Sequence, residues 1–236
     1  MNISTRLINC ELLDGCFVVV WEGTDGSGKT TLRHEVEKRL RRLGYRVASY
    51  KTPSRTATGL FAVKHGNKRG VDPLVRMLLF LANTIDDSEL MIKRVMSNMP
   101  DYFFIDRYYL CSIVYGLALL RRSGREVPDV SIVVEMVEGM GGDRLIRPDL
   151  YIIVDVEEEE RLRRIAGKKS RDRTVEHDTE TQNIVRKIYA DYREKNPKNT
   201  ILIMNEAGKL EETGKFIADL LISLRDSTRQ ELSKNK

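Results

Sequence analysis

Five short apolar runs punctuate the chain: residues 17–22 (FVVVWE), 46–50 (RVASY), 102–106 (YFFID), 150–155 (LYIIVD) and 200–204 (TILIM). They are apolar almost throughout, the pattern of strands buried on both faces of a parallel sheet. Helix-period stretches separate them. Residues 30–43 carry Leu32, Val36, Leu40 and Leu43 on one stripe, and residues 73–99 open on Pro73 at a first-turn position. Residues 178–195 carry Ile184, Val185, Ile188 and Tyr192, and residues 209–224 carry Phe216, Ile217, Leu220, Leu221 and Leu224. The alternation predicts an α/β fold: a doubly wound five-stranded parallel sheet flanked by helices, with ligands beyond the carboxyl ends of the strands. Residues 16–225 then form one domain, 1–15 an N-terminal extension and 226–236, nearly all polar, a frayed helix end or C-terminal tail.

One loop carries the first chemistry. Gly23-Thr24-Asp25-Gly26-Ser27-Gly28-Lys29-Thr30 fits the phosphate-loop pattern G-x-x-x-x-G-K-[ST], directly after a strand and before a helix. Glycines let backbone N–H groups curl around phosphate oxygens, and the helix N-terminus adds a positive dipole. Lys29 reaches the β- and γ-phosphates, and the Thr30 hydroxyl holds Mg²⁺. Strand 102–106 closes on Asp106, placed to anchor magnesium directly or through water. Arg107 follows and suits bidentate grip of a phosphate. Asp25 reads either as a solvated turn carboxylate or as an acceptor for a sugar hydroxyl of a second substrate. The Asn-Lys-x-Asp string with which GTPases read guanine is missing, since Asn67-Lys68-Arg69-Gly70 lacks the Asp. A small phosphotransferase remains.

Composition narrows the class further. The chain has 236 residues, 40 of them Lys or Arg against 35 Asp or Glu, for a formal charge of +5. That balance suits anionic ligands without requiring nucleic acid. Its distribution is uneven: residues 161–173 hold seven Lys/Arg and one Asp. Phosphoryl transfer rests on positioning and on cancelling charge at phosphate oxygens, which such a segment supplies. The glutamates at 157–160 offer it helical ion pairs instead. Three scattered cysteines, Cys10, Cys16 and Cys111, exclude a disulfide scaffold and a CxxC zinc site, and His34, His65 and His177 have no metal-ligand spacing. The apolar run at 16–21 is too short to span a membrane and lacks a signal peptide's basic lead-in. The expectation is a cytoplasmic protein that engages neither membrane nor nucleic acid.

With these residues in view, the chain resembles the thymidylate kinase family of nucleoside monophosphate kinases from about residue 17 to 224. The resemblance is carried by Glu22-Gly-Thr-Asp-Gly-Ser-Gly-Lys-Thr-Thr31, Pro53-Ser-Arg55-Thr56, Leu79-Phe80-Leu-Ala-Asn83 and Asp106-Arg107-Tyr108. Arg147-Pro-Asp-Leu150 and Lys169-Ser-Arg-Asp-Arg173 add to it. It implies phosphoryl transfer from ATP, with Mg²⁺, to a nucleoside monophosphate, most simply dTMP. ATP-binding residues would be Gly23, Thr24, Asp25, Gly26, Ser27, Gly28, Lys29, Thr30 and Thr31, with Ala207 near adenine; Thr30 and Asp106 would hold the metal. Arg55 and Arg107 would take the acceptor phosphate, Asp25 its 3′-hydroxyl region, and Phe80 its base. Asn83 would complete the acceptor set, and Tyr115 would fill the space of a ribose 2′-hydroxyl. Arg171 and Arg173, on a lid at about 166–178, would close on the transferring group alongside the catalytic Lys29, Asp25 and Arg107. Family members commonly pair as homodimers, for which 74–92 and 113–120 offer apolar faces.

Two positions depart from the family pattern. Thr84 stands where an arginine usually addresses a base carbonyl, and Cys111 where Ser or Asn usually lies near the pyrimidine N3 edge; Cys111 also reads simply as a small buried residue. Losing a charged donor and a polar partner predicts relaxed or altered base selectivity. A different or broader acceptor (dUMP, other deoxynucleoside monophosphates or a nucleoside) is therefore the alternative within the enzyme class, and a non-catalytic nucleotide-binding protein is the alternative outside it.

Overall fold

Successive side chains of a strand point to opposite faces, so a continuously apolar strand needs cover on both sides. The computed structural model, which describes residues 15–166, 175 and 177–234, has that arrangement. Strands β1 (Phe17–Gly23), β2 (Val47–Lys51), β3 (Tyr102–Asp106), β4 (Leu150–Asp155) and β5 (Thr200–Met204) form one parallel sheet in the order β2-β3-β1-β4-β5. Phe17, Val19 and Trp21 of β1 join Tyr102, Phe104, Leu150, Ile152 and Val154 in one core layer. Val18 and Val20 join Phe103, Ile105, Tyr151 and Ile153 in the other.

Helices α1 (Lys29–Arg42) and α8 (Leu210–Lys234) cover the first layer. The second lies under α3 (Pro73–Asn98), α4 (Tyr109–Arg122), α5 (Val130–Gly141) and α7 (Thr179–Lys195). Short α2 (Ala57–Gly66) packs on α3, and α6 (Glu158–Ala166) follows β4. The five strands fall where the apolar runs predict, within one residue at each end.

Three helical features add to those the sequence pattern predicts. The stretch from Thr52 to Gly59, which reads as polar loop, includes the start of α2: the Thr56 side chain caps it by accepting from Gly59 N at 3.2 Å. Segment 123–143 contains α5, started by Asp129 accepting from Ser131 N at 2.9 Å and packed through Val130, Val133, Val134 and Val137. The last helix runs to Lys234, so of the two readings for the polar end the helix end is the one observed. The 113–120 face is not available for pairing, because Ile113, Val114, Leu117, Ala118 and Leu120 are core residues of this chain. Exposed apolar side chains on α3 are Leu74, Val75, Leu78, Leu90 and Met96, the first three clustered in its first two turns. Residues 1–14 and most of the expected lid, including Arg171 and Arg173, lie outside the described residues.

Candidate active site

The phosphate loop leaves the carboxyl end of central strand β1, where the order of connections reverses across the sheet. Its glycines are required sterically. A Cβ on Gly23 (φ +128°) would lie 1.9 Å from Val154 O, and one on Gly28 (φ +80°) would lie 2.5 Å from Asn205 Nδ2. Lys29 is buried and folds back over the loop, its Nζ donating to Gly23 O at 3.2 Å and Thr24 O at 3.3 Å. Burial first, then the Arg107 guanidinium, push its ammonium below the ordinary lysine range, while Asp106 and Asp25 pull the other way. An anion delivered to the loop has the sign that restores the charged form.

Several side chains hold this loop from behind, a role the sequence did not assign to them. Arg161, fully buried, donates from Nη1 to Asp25 O at 3.3 Å and pairs with Glu158. Arg164 donates to Ser27 O at 2.9 Å and to Asn205 O at 3.0 Å, and Asn205 Nδ2 donates to Ser27 O at 2.7 Å. Thr24 Oγ1 donates to Asp155 Oδ1 at 2.9 Å, and Arg186 fixes that carboxylate at 3.0 Å. Of the two readings open for the basic segment, only Arg163 fits a solvated helix face, since Arg161 is buried and Arg164 largely so. The signal for the other two was their period: 161 and 164 fall three apart, on one helical face. Ala207, two residues beyond Asn205, is exposed.

On the β3 side, Asp106 is buried and accepts from Thr30 Oγ1 at 3.2 Å, with Arg33 Nε at 3.9 Å and Lys51 Nζ at 4.0 Å. Arg107 adopts a left-handed backbone (φ +66°), an uncommon conformation for a non-glycine residue that concentrates at functional sites. It turns the side chain back across β1: Arg107 Nη2 pairs with Asp25 Oδ1 and Nη1 donates to Cys111 Sγ at 2.9 Å. Tyr115 OH donates to the other Asp25 oxygen at 3.0 Å, with its ring 5.5 Å from the guanidinium carbon. Asp25 is thus an organised carboxylate facing α4, not a solvated turn residue. Gln182 Oε1 of α7 accepts from Asp25 N at 3.4 Å and from Tyr115 OH at 3.4 Å. A polar residue on the buried face of an otherwise amphipathic helix becomes conspicuous only once that face is assigned.

Glu22 underlies the arrangement. Fully buried, its carboxylate accepts from Tyr108 N at 2.9 Å, Cys111 N at 3.2 Å and Tyr189 OH at 3.0 Å. It thereby caps α4, whose own N-cap residue Tyr108 supplies no side-chain bond. Burial raises its pKa above the usual carboxylate range, against the pull of Arg107 and these hydrogen bonds.

Beside the Asp25–Arg107 pair opens a cavity of about 220 Å³. Asp25, Phe80, Asn83, Thr84, Arg107, Cys111 and Tyr115 all line it, so seven of the eight acceptor-binding candidates come together there. The exception is Arg55, exposed at the neighbouring Ser54–Thr56 corner; Thr52 and Pro53 from that segment do line the cavity. Thr84 spends its hydroxyl on Phe80 O at 2.9 Å within its own helix. Burial pushes the Cys111 thiol up to about 11, so it faces the cavity neutral. The lining also includes Asn67, Arg76 and Ser112, which sequence reasoning passed over. Arg76 lies 4.9 Å over the Phe80 ring and donates to Asn67 Oδ1 at 3.2 Å.

The family model described as thymidylate kinase matches residues 21–217. The chain belongs to the thymidylate kinase family. It is 33% identical over 186 residues to a thymidylate kinase of Caldicellulosiruptor saccharolyticus, spanning 75% of this chain and 81% of that one. With a probable thymidylate kinase of Sulfurisphaera tokodaii it shares 27% identity over 207 residues, covering 87% and 96%. A thymidylate kinase structure from Ehrlichia chaffeensis superposes with a TM-score of 0.62 at 21% identity, over 88% of this chain and 99% of that one, which establishes the common fold. The family is one of nucleoside monophosphate kinases, and the chain is accordingly a phosphotransferase.

Proposed function

We propose that the chain transfers the γ-phosphoryl group of ATP to dTMP, forming dTDP and ADP, with the donor in the Gly23–Thr31 loop and the acceptor in the adjoining cavity. The observation that supports this most strongly is the Arg107–Asp25–Tyr115 constellation, built into the wall shared by the phosphate loop and the cavity. Loop amides and Lys29 hold the donor phosphates. Arg107 presents a forked donor to the acceptor phosphate, and Arg55 stands at the cavity's outer corner to grip the same group. Asp25 and Tyr115 address the sugar, and Phe80 stacks on the base. Arg171 and Arg173 complete the cancellation of charge from the lid. A phosphate monoester is already ionised, so no general base is required, and positioning with electrostatic stabilisation carries the chemistry.

Thr30 and Asp106 fit Mg²⁺. The ion accepts few protein oxygens and keeps waters and phosphate oxygens for the rest, and the pair offers one hydroxyl and one carboxylate at 3.2 Å from each other. When bound, it would draw charge from the donor phosphates. Free Cys16 and Cys111 support a reducing, cytoplasmic setting, and among the described residues no helix is long and apolar enough to cross a membrane.

The test is ADP release across a panel of monophosphates. Because Thr84 is turned inward and Cys111 is neutral, base discrimination rests on shape more than on charge. We expect dTMP to exceed dUMP in kcat/KM by about tenfold to a hundredfold, the worth of one methyl group in a fitted pocket. Faster turnover of dUMP or dCMP would assign the cavity to another base.

For assembly, exposed Leu74, Val75 and Leu78 on α3 form an apolar face suited to a second copy. Sedimentation should give a dimer, and Leu78→Glu a monomer of unchanged secondary structure. A monomeric wild type would remove this assignment.

A further inference from the structure

Asp87 of α3 is fully buried, yet among the described residues its hydrogen-bonding partners are all neutral. Ser54 Oγ donates to Asp87 Oδ1 at 2.7 Å, Tyr50 OH at 3.2 Å and Thr56 Oγ1 at 3.5 Å, while Asn83 Nδ2 donates to Oδ2 at 3.1 Å. A buried carboxylate is costly unless its oxygens are filled, and bonds to a charged acceptor are about twice as strong as neutral ones. Here the donors come from three places: the end of β2, the Ser54–Thr56 corner, and α3 itself. Asp87 does not line the cavity, whereas Asn83 does.

The corner is drawn in tightly. Ser54 Oγ also accepts from Thr56 N at 3.2 Å, and Asn83 Nδ2 reaches Thr56 Oγ1 at 3.4 Å. Gly59 lets the chain close on itself, since a Cβ there would stand 2.3 Å from Ser54 O and 3.1 Å from Asn83 Nδ2. Arg55 sits between the two hydroxyl residues that Asp87 holds. Its own side chain is exposed, so the backbone corner, not side-chain packing, sets where the guanidinium starts from.

We infer that Asp87 is a positioning residue for the acceptor: by gathering Ser54, Tyr50, Thr56 and Asn83 it fixes the Arg55 corner against the cavity, and so sets dTMP affinity without touching dTMP. This rests on the reading of Arg55 as an acceptor-phosphate ligand. Both ends of the network serve the same substrate. Asn83 is a wall of the cavity and Arg55 its outer corner, and the carboxylate ties one to the other.

The test is steady-state kinetics on Asp87→Asn, Ser54→Ala, Arg55→Ala and the Asp87→Asn/Arg55→Ala double variant. Ser54→Ala removes the shortest strap without placing an unmatched group in α3, and so guards against a folding defect in the first variant. Asp87→Asn and Ser54→Ala should each raise the KM for dTMP about tenfold, the factor for one charge-assisted hydrogen bond. The KM for ATP should stay unchanged and kcat should hold within about twofold. Arg55→Ala should raise the same constant, and adding Asp87→Asn to it should raise it no further, because the two act as one unit. If Arg55→Ala weakens dTMP while Asp87→Asn and Ser54→Ala do not, or if both kinetic constants for ATP shift with them, the positioning role is overturned alone. If Arg55→Ala leaves the KM for dTMP unchanged, the acceptor reading of Arg55 falls as well.

Discussion

Lys29→Ala is expected to lower kcat by at least about a hundredfold while leaving the protein folded, the usual worth of a preorganised charge at a developing oxyanion. The separation of the two effects follows from what holds the loop. Arg161 on Asp25 O, Arg164 and Asn205 on Ser27 O, and Thr24 on Asp155 are all untouched by the substitution. The lost groups are two bonds to Gly23 O and Thr24 O. Folding also pays for this ammonium. With its folded pKa below the unfolded one, folding favours the neutral amine, so the charge opposes stability at neutral pH and the penalty fades as pH rises through the folded pKa. The alanine variant should therefore melt no lower than wild type at pH 7. Thermal melts and single-turnover rates on the same sample check both halves; turnover near normal would remove Lys29 from the chemistry.

Arg107→Ala is expected to cost at least about a hundredfold in kcat, with a rise in the KM for dTMP that Lys29→Ala does not share. Two losses combine. The forked donor to the acceptor phosphate disappears, and the Asp25 carboxylate loses the Arg107 guanidinium. Its negative charge then opposes the phosphate that Arg107 attracts. The backbone should hold, because Thr52 Oγ1 bonds to Arg107 O at 2.8 Å and Arg107 N to Trp21 O at 3.0 Å, neither through the side chain. Alanine also keeps the positive φ no better and no worse than arginine. Arg107→Lys supplies the charge without the fork and should recover only part of the loss. A variant with normal dTMP affinity would place the acceptor elsewhere.

The elements legible in the sequence were those whose signal is local. Strands of five to seven apolar residues and the glycine spacing of the loop need no tertiary context, and Asp106-Arg107 is marked by its place at a strand end. The acceptor cavity was legible only through the family resemblance, because its walls come from three helices with separate periodicities. α4 is buried on nearly every side between α3 and α7, which leaves it without the polar stripe that marks an amphipathic helix. In α5, Val130, Val133, Val134 and Val137 keep helical spacing, but their β-branched composition weakens the helical signal. Arg161 and Arg164 read equally as phosphate-facing or as helical ion-pair charge, and only the position of β4 beside β1 brings them under the loop. Thr84 illustrates the opposite limit: its identity signalled a missing donor, and its inward bond to Phe80 O accounts for why its hydroxyl is no substitute. Asp87, one aspartate in a long helix, carried no signal at all until the Ser54 corner was seen folded onto it.

The central claim is that two phosphate-bearing molecules meet across the wall formed by Lys29, Asp25 and Arg107. Its most direct measurement is ADP release from ATP by the wild-type chain, with Mg²⁺, in the presence and absence of dTMP. The account predicts rapid, dTMP-dependent release with one dTDP formed for each ADP. Tight ATP binding with no ADP formed at saturating dTMP would contradict it.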